Sequence, residues 1–562
     1  MQKHSLRIVP LGGLGEIGKN MTVVEWGDDA ILIDSGIMFP ENDMLGVDYI
    51  IPDFSYLREK EDLRLHGILY THGHEDHTGA IAHVIEAFPG TPVWATPLTA
   101  ALLKVKLKDA RQQDHCEVNI FQPGADFQVG PFPIESFRVC HSIPDCVGFG
   151  INTPLGLIVH TGDYKFDNTP PDGHRPDYAK LADFSRRGVL LLLADSTNAD
   201  RPGWTPSEST VVAAFDEVFE EARGRIMIAT FASHLQRIQQ VADCARQHGR
   251  RMAIAGYSMN ANVRMARAMG ILKLDEDILV ELSASNDLPS ENVVIMVTGT
   301  QGEPSAVLGR LAQGRHHQLD VRPDDTIVVS AHAIPGNEEM VYRTINRLFQ
   351  RGANVLYDPV APVHVSGHAC QEEMKLMLNL TQPRYFVPVH GELRHLMAHA
   401  RLALASGLPE KNIRVVENGS VVSIDEEGIQ IGERVPGGYV FVDGSGVGDV
   451  GPAVMRDRET LGKDGFLVVV ANLDADSGEL VAEPEILTRG FVYHREADDL
   501  IENIRKTARA SLADTAASQN GRRRNILQER ISRMLYSETR RRPMVFSIIN
   551  EHQAAASAPS PG

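Results

Sequence analysis

The sequence is short of cysteine, of long apolar segments and of positive charge, and each shortage excludes a class of protein. Its five cysteines, in 562 residues, are scattered and never spaced as CxxC, which predicts reduced, mostly buried thiols and excludes a disulfide framework. No segment approaches the apolar length that spans a bilayer, and the first residues lead into a predicted strand without an apolar signal segment. We therefore expect a cytoplasmic protein without membrane contact.

The formal net charge of −19 argues against a protein that coats nucleic acid non-specifically. The charge is still compatible with a nucleic-acid enzyme, because metal ions and a few arginines can make one cleft positive within an acidic surface. The chain is also too long for a single hydrophobic core, and its length predicts about three domains.

Residues 70–79 hold the most informative cluster of side chains. Three imidazoles and one aspartate lie within six residues there, between an apolar segment that predicts a buried strand and a segment that predicts a helix. Neutral imidazole and carboxylate are ligands of zinc and manganese. We predict that His72 and His74 share one ion and that Asp76 and His77 face a second. A polar surface loop with histidines by chance explains neither this spacing nor the preceding strand.

Further polar residues follow predicted strands. His141 and Asp163 come directly after apolar segments, and they supply what a two-metal site still needs, a third ligand for the first ion and a bridging carboxylate. Asp195 ends a fully apolar strand, and His390 ends another. A lone histidine or aspartate at a strand end is usually structural, so these predictions depend on the cluster at 72–77.

Predicted strands alternate with predicted helices between residues 206 and 355. That alternation predicts a domain with a parallel sheet. The domain is inserted into the first one, because strand-end histidines resume after it. A literal GxGxxG at residues 13–18 does not indicate a dinucleotide-binding fold, since residues 21–26 alternate as a strand where that fold needs a helix.

These features together resemble the β-CASP branch of the metallo-β-lactamase superfamily, and within it the bacterial ribonuclease J family. The similarity runs from about residue 6 to residue 550, and its motifs are HxHxDH at 72–77, ADST at 194–197, HVSGH at 364–368 and PVHGE at 388–392. The resemblance implies an α/β protein: a metallo-β-lactamase αββα sandwich, an inserted α/β β-CASP domain and a small C-terminal α/β domain. The implied boundaries are 1–205 and 356–448 for the two parts of the metallo-β-lactamase domain, 206–355 for the β-CASP domain, 449–465 for a linker, 466–553 for the C-terminal domain and 554–562 for a disordered tail.

The resemblance also implies roles for individual residues. The implied metal ligands are His72, His74 and His141 for the first ion, Asp76, His77 and His390 for the second, and Asp163 as the bridge. The implied catalytic residues are Asp76, Asp195 and His368, of which His368 protonates the leaving 3′ oxygen. The implied substrate contacts are Ser233, His234, Leu235, His364, Val365, Ser366, Gly367 and His368. Asp48 and Asp443 are the implied ligands of one structural calcium ion, although the acidic loop around Asp48 otherwise predicts a solvated surface.

The implied function is metal-dependent cleavage of single-stranded RNA, in ribosomal RNA processing and messenger RNA decay. The expected activity is a 5′-to-3′ exonuclease that prefers a 5′ monophosphate, with additional endonuclease activity. Two Zn²⁺ or Mn²⁺ ions would activate water for attack on the phosphodiester. The implied partners are further copies of the chain, in a homodimer or homotetramer, and other RNA-degradation proteins. Basic runs at 522–524 and 540–542 predict solvated faces, with RNA or subunit contact as alternatives.

Two other functions are compatible with parts of this pattern. A metallo-β-lactamase-fold hydrolase of a small thioester or lactone would share the metal ligands, but such a substrate needs no inserted domain. A non-catalytic RNA-binding subunit would share the architecture, but here all seven implied ligand positions are filled. Substrate assays discriminate the first alternative, and metal content discriminates the second.

Overall fold

In the computed structural model, strands from two separate parts of the chain build a pair of facing β-sheets. The structure describes residues 5–41, 43–334, 336–491, 498–513 and 520–552, the side chains of 520 and 521 excepted. The chain divides into two units, Met1–Glu41 with Tyr49–Val440 and Asn42–Asp48 with Phe441–Gly562. The predicted disordered tail, 554–562, lies outside the described residues.

The elements before and within the insertion alternate between strands and short helices. Before it come β1 Leu6–Gly12, β2 Leu14–Gly15, β3 Met21–Trp26, β4 Asp29–Ile33, β5 Tyr49–Pro52, α1 Ser55–Glu59, β6 Arg64–Leu69, α2 Glu75–Thr78, α3 Ile81–Ala87, β7 Val93–Ala95, α4 Pro97–Asp109, β8 Val118–Ile120, β9 Asp126–Val129, β10 Phe132–Arg138, β11 Val147–Thr153, β12 Gly156–His160, α5 Tyr178–Arg187 and β13 Val189–Asp195. The insertion contains α6 Ser209–Glu221, β14 Ile226–Ala229, α7 Leu235–Gln247, β15 Arg251–Ala255, α8 Tyr257–Ala268, β16 Val293–Val297, α9 Val307–Gln313, β17 Thr326–Val329, α10 Glu338–Gln350 and β18 Asn354–Tyr357, with 3-10 turns at Ala284–Asp287 and Ser290–Asn292.

The chain then returns to the first domain and continues into the C-terminal region. The returning elements are α11 Gln371–Thr381, β19 Tyr385–Val389, β20 Gly391–Glu392, α12 Leu393–Ala405, a 3-10 turn at Glu410–Asn412, β21 Ser420–Ile424, β22 Ile429–Arg434, β23 Tyr439–Asp443 and β24 Gly446–Val447. The C-terminal elements are α13 Pro452–Asp464, β25 Phe466–Asp474, β26 Glu485–Arg489, α14 Asp498–Ala513, α15 Asn520–Thr539 and β27 Met544–His552.

Two sheets face each other in the metallo-β-lactamase domain. One has the strand order β22-β21-β1-β3-β4-β6-β7-β8, and the other has the order β19-β13-β12-β11-β10-β9. Strand residues of both sheets, such as Ile8, Val24 and Ile31 of the first and Phe149 and Leu191 of the second, are buried in one core. The predicted sandwich is therefore confirmed.

The insertion forms the predicted parallel sheet, in the order β15-β16-β14-β17-β18. Strands on either side of the insertion lie next to each other, because β13 pairs in parallel with β19 and places Asp195 opposite Val389. The carboxyl ends of both strands therefore meet at one edge of the sheet, which brings Asp195 close to His390.

Two predicted boundaries differ from the observed elements. Strand β18 extends two residues beyond 355, because Tyr357 still pairs with Val329 of β17. The predicted linker at 449–465 contains helix α13, which has Pro452 in its first turn and ends at Gly465 with a φ of 73°. Proline at the start and glycine after the end are ordinary helix boundaries. The remaining domain boundaries stay predictions.

In the second unit, strand β25 is the centre of a three-stranded sheet, antiparallel to β26 and parallel to β27. Its alternate residues Leu467, Val469, Ala471 and Leu473 are buried in a core with apolar residues of α14 and α15. Of the described helices, none combines the length and apolar character that a membrane crossing requires.

Candidate metal centre

Backbone contacts fix the HxHxDH loop between β6 and α3. The amide of Ser35 donates to the carbonyl of His77 over 2.8 Å, and the amide of Asn20 donates to the carbonyl of Asp76 over 2.9 Å. The loop approaches Gly36 so closely that a Cβ on this glycine would lie 1.6 Å from the carbonyl oxygen of Asp76. Strand ends on both sides therefore define where the motif residues lie.

Three imidazoles of the first group direct ring nitrogens at one another. His72 Nε2 and His141 Nε2 each lie 3.1 Å from His74 Nδ1. Their other nitrogens are held, since His141 Nδ1 lies 2.8 Å from Gly367 O and His72 Nδ1 lies 3.0 Å from Thr71 Oγ1. Burial lowers the pKa of His74 to about 4 and that of His141 to about 3. Both rings are therefore neutral near pH 7, which is the form that binds metal ions.

A second group combines two carboxylates with two imidazoles. Asp163 Oδ2 lies 3.2 Å from His77 Nε2, and Asp163 Oδ1 lies 2.7 Å from His390 Nδ1. Asp76 Oδ2 lies 3.6 Å from the Nε2 atoms of both histidines. The Oδ2 atom of Asp163 is also 3.7 Å from His72 Nε2. Asp163 therefore lies between the two groups, which is the place of a bridging carboxylate.

The donor atoms of both groups fit divalent cations. The carbonyl of Gly367 accepts the Nδ1 proton of His141, so Nε2 of this neutral ring carries a lone pair. The lone pair faces His74 Nδ1 at 3.1 Å, and a cation bound by the two nitrogens would remove the repulsion between them. Both ring nitrogens of the buried His390 face carboxylates, since Nδ1 lies 2.7 Å from Asp163 Oδ1 and Nε2 lies 3.6 Å from Asp76 Oδ2. Burial opposes a charge on His390, yet Asp163 and Asp76 raise its pKa to about 10. The second group therefore attracts positive charge, and its mixed nitrogen and oxygen ligands suit zinc or manganese.

Several residues that support the ligands were not assigned from the sequence. Asp34 Oδ2 lies 2.7 Å from His77 Nδ1, and Asp34 Oδ1 accepts from the amide of Thr71 over 2.8 Å. Asn20 Nδ2 lies 3.1 Å from His77 Nε2. The position of Asp34 at the end of β4 was the one available signal, and it became informative only after β4 was known to lie beside β6. Such partners fix the orientation of a ligand and tune its affinity for metal.

Sequence comparison identifies four family regions in the chain. Residues 14–208 match the metallo-beta-lactamase superfamily, 223–348 the ribonuclease J beta-CASP domain, 353–416 the Zn-dependent metallo-hydrolase RNA specificity domain and 453–552 the ribonuclease J C-terminal domain. Ribonuclease J2 of Bacillus subtilis is 40% identical over 551 residues, which cover 98% of this chain and 99% of that protein. The chain belongs to the ribonuclease J family.

Other relatives agree with this assignment. Ribonuclease J of Synechocystis sp. is 40% identical over 561 residues, covering 98% of this chain and 87% of that protein. A solved structure of a protein of unknown function from Enterococcus faecalis is 14% identical, with a TM-score of 0.52 over 76% of this chain and 100% of that one; it shows the fold alone. This ribonuclease J family member is a metal-dependent ribonuclease that binds divalent metal and RNA. The family assignment supports neither of the two alternative functions, the small-acyl hydrolase and the non-catalytic RNA-binding subunit.

In this ribonuclease J family member, His368 and Asp195 form a pair beside the second group. His368 Nδ1 lies 2.8 Å from Asp195 Oδ2, while Asp195 Oδ1 accepts from the amide and the hydroxyl of Thr197 over 2.9 and 2.7 Å. Burial alone would lower the pKa of His368, but Asp195 more than reverses that effect and raises it. The pair can overlap with a metal group that includes Asp163 and His390. His368 Nδ1 and both oxygens of Asp195 already take part in hydrogen bonds, and a role of the pair beside the metal ions stays a prediction.

The residues predicted to contact substrate lie on two loops that approach the metal groups. One loop, after β14, carries Ser233 and His234, and Leu235 follows as the first residue of α7. The other, before α11, carries His364, Val365, Ser366, Gly367 and His368. The side chains of Leu235 and Val365 belong to the hydrophobic core, so only the backbone of these two residues is available to a substrate.

The two predicted calcium ligands lie in the second unit of this family member. Asp48 Oδ2 accepts from the amide of Gly444 over 2.8 Å. The carboxylate of Asp443 is paired with the guanidinium of Arg458, which also donates to the carbonyl of Leu45 over 3.0 Å. A cation at Asp443 would therefore compete with an arginine, and the calcium site stays a prediction.

Proposed function

We propose that this ribonuclease J family member is a 5′-to-3′ exoribonuclease that prefers a 5′ monophosphate and also cuts RNA internally. The observation that carries the proposal is a buried hydrogen-bond donor without an acceptor, His234 Nε2, beside the first metal group. A 5′-terminal phosphate bound there would place the first phosphodiester near the metal ions, so that one nucleotide is released at a time.

The protonation of His234 follows from its backbone contact. The amide of Arg237 donates to His234 Nδ1 over 3.4 Å. Burial lowers the pKa of His234 well below its usual value, and the nearby charges of Arg237, Lys165 and His141 add to the effect. A neutral ring that accepts at Nδ1 carries its proton on Nε2. That donor has no partner among the described residues, and an unsatisfied buried donor is expensive unless a ligand accepts its bond.

The second substrate loop supports the same assignment. His364 Nδ1 is also buried without a hydrogen-bond partner in the part of the chain that the structure describes, and its ring centroid lies 6.5 Å from that of His234. Ser366 Oγ accepts from Asn198 Nδ2 over 2.8 Å and from the amide of His368 over 3.1 Å. Because both contacts donate to the oxygen, the hydroxyl proton of Ser366 is free to point at a phosphate oxygen.

The same residues support a hydrolytic mechanism. Two divalent ions, held by the seven proposed ligands with Asp163 between them, would acidify water and neutralise charge on the phosphate. The oxygen of water bonds to phosphorus and gives its proton to solvent, while the bond from phosphorus to the 3′ oxygen breaks. Asp195 holds His368 Nδ1, which leaves Nε2 to pass its proton to the leaving 3′ oxygen. His368 then regains a proton from solvent, so the protein is unchanged after each turnover.

The working ions are zinc or manganese in this proposal, with a structural calcium at Asp48 and Asp443. We further propose that the protein acts in the cytoplasm, together with other RNA-degradation proteins, and that it forms a homodimer or homotetramer. An apolar sheet face in the second unit supports self-association. Val468 pairs with Leu487 and Phe546 across three strands, and the two outer side chains are 54% and 43% exposed.

A metal-titrated cleavage assay tests this function. Chelator-stripped protein receives zinc, manganese or magnesium and then RNA with a 5′ monophosphate, triphosphate or hydroxyl. We expect metal-dependent release of mononucleotides, fastest from the monophosphate. Internal fragments at equal rates from all three ends would support an endonuclease in its place, and absence of cleavage by protein that retains metal would contradict the ribonuclease mechanism.

The pocket itself is tested by His234→Asn. Asparagine preserves the helix cap at the start of α7 but does not carry the Nε2 donor. The ratio of monophosphate to hydroxyl cleavage rates should fall by about tenfold or more, the size of one hydrogen bond to a charged group. His248→Asn, at the other end of α7, is the matched control and should leave the ratio unchanged. An unchanged ratio in His234→Asn would place the pocket elsewhere.

A further inference from the structure

We propose that Glu373 is a positioning residue, whose buried carboxylate holds His368 where it can protonate the leaving 3′ oxygen. The inference rests on the proposed acid role of His368. Glu373 lies in the first turn of α11 and is fully buried. It touches neither the proposed metal ligands nor the predicted substrate contacts through its carboxylate.

The carboxylate of Glu373 collects three backbone donors from three loops. Its Oε2 accepts from the amides of Thr205 and Cys370 over 2.8 and 2.9 Å, and its Oε1 accepts from the amide of Phe166 over 2.8 Å. Hydrogen bonds to a charged acceptor are shorter and stronger than neutral ones. One side chain therefore fastens together three segments that are distant in sequence.

Helix capping explains only one of these contacts. The bond from Cys370 belongs to a capping box at the start of α11, a common local device. The bonds from Phe166 and Thr205 cross 207 and 168 residues of sequence. A capping glutamate needs neither of them, so the burial of this charge serves the arrangement of the loops.

All three loops lead to His368 or to its surroundings. Thr205 Oγ1 donates to the carbonyl of His368 over 2.7 Å, and Cys370 follows His368 by two residues. Phe166 follows Asp163, the proposed bridging ligand, by three residues. Glu373 therefore fixes the backbone of His368 from two directions and relates it to the loop that carries the bridge.

The substitution Glu373→Gln changes the hydrogen bonds of this side chain while nearly keeping its volume. Glutamine has nearly the same volume, but its amide group turns a donor toward one or two of the three backbone donors. We expect kcat on RNA to fall by about ten- to a hundredfold, as for a displaced catalytic group. Bound metal and KM should change little, because the metal ligands and the phosphate pocket are untouched. Glu372→Gln is the matched control, since Glu372 is a half-buried neighbour paired with Lys375 over 2.6 Å.

A substrate with sulfur in place of the bridging 3′ oxygen reports on the protonation step. A thiol is far more acidic than an alcohol, so the sulfur leaves without a proton donor. His368→Ala and Glu373→Gln should both approach the wild-type rate on this substrate, within about threefold, while both remain slow on ordinary RNA. Thr205→Val, which removes the hydroxyl contact with His368 but keeps the amide contact with Glu373, should behave in the same way and covers the case in which Glu373→Gln does not fold.

The possible outcomes distinguish the positioning role of Glu373 from the proposed acid role of His368. Equal losses on both substrates in Glu373→Gln and Thr205→Val, with recovery in His368→Ala, would overturn the role of Glu373 and leave the acid role of His368 intact. Failure of His368→Ala to recover would overturn both. An unchanged kcat on ordinary RNA in Glu373→Gln would also overturn the inference.

Discussion

Asp34 contacts His77, a proposed metal ligand, and its effect on metal binding can be tested by a single substitution. The carboxylate holds His77 Nδ1 and the amide of Thr71, so Asp34→Asn loses an anionic acceptor without loss of volume. We expect metal affinity to fall by about ten- to a hundredfold. Competition for zinc or manganese with a coloured chelator measures this affinity directly.

The control for that experiment lies on the same strand. Asp29, at the start of β4, is half-buried and pairs with half-buried His66 over 2.7 Å and with exposed Arg64 over 3.0 Å. Asp29→Asn should keep the metal affinity of the wild type, because its partners His66 and Arg64 are not proposed metal ligands. An equal loss in the two variants would mean that β4 as a whole, and not the contact with His77, sets the affinity.

Residue types and spacing predicted the proposed metal ligands, because each of them follows an apolar strand or lies in HxHxDH. The residues around them left no such signal. Glu373 stands beside Glu372 in the sequence, and only the fold distinguishes a fully buried carboxylate with three donors from a half-buried one paired with lysine. Asn20 likewise lies in a glycine-rich loop whose approach to Asp76 depends on strands that are distant in sequence.

At the scale of elements, the four-residue helix α2 is held by its neighbours and not by its own length. A helix this short is unstable alone. Gly36→Ala would force a methyl group against the backbone of Asp76, so we expect the free energy of unfolding to fall by about 1–3 kcal/mol. Metal affinity should fall with it. Urea unfolding followed by circular dichroism, with and without metal, measures both effects.

Gly438→Ala is the corresponding control, because a Cβ there has open space around it and no positive φ. It should unfold at the wild-type urea concentration. If Gly36→Ala were as stable as this control, the loop that carries Asp76 would be able to move aside.

Element types were predictable where the apolar pattern was long, as in β13 and in the alternating strands and helices of the insertion. Which strands pair with each other was harder to predict from the sequence. Strands β13 and β19 pair although the inserted domain separates them in the sequence. No local pattern in either strand specifies the other as its partner. The prediction of a linker at 449–465 does not include helix α13. None of the residues of this helix is buried, so no apolar stripe marks it, and Pro452 and Gly465 are its available boundary signals.

For the whole molecule, metal should stabilise one part of the chain selectively. The candidate metal groups among the described residues all lie between His72 and His390, within the first unit. An ion at a hundred times its dissociation constant adds about 2.7 kcal/mol to the native state that binds it. Calorimetry of chelator-treated protein should show one unfolding transition that rises when zinc or manganese is restored and another that does not. A common shift of all transitions would contradict this expectation.

Self-association through the second unit is testable by a charge on its apolar sheet face. Phe546→Asp places a carboxylate opposite Val468, and burial of that charge in an interface is costly. We expect a smaller molar mass by light scattering after gel filtration. Phe349→Asp changes a phenylalanine of similar exposure, 46% against 43%, on α10 of the first unit and should keep the wild-type mass. An unchanged mass for Phe546→Asp would remove this face from the proposed interface.

The adjacency of β13 and β19 has a consequence for the protein while it is being made. Asp195 leaves the ribosome long before His390, and synthesis of the residues between them takes roughly 10–40 s at ordinary rates of translation. During that interval the nascent chain holds the HxHxDH ligands, but the second metal group lacks His390 and the acid pair lacks His368. With the proposed ligands and acid, the enzyme would not cut RNA, its own message included, until residues 356–390 have emerged and β19 has paired with β13.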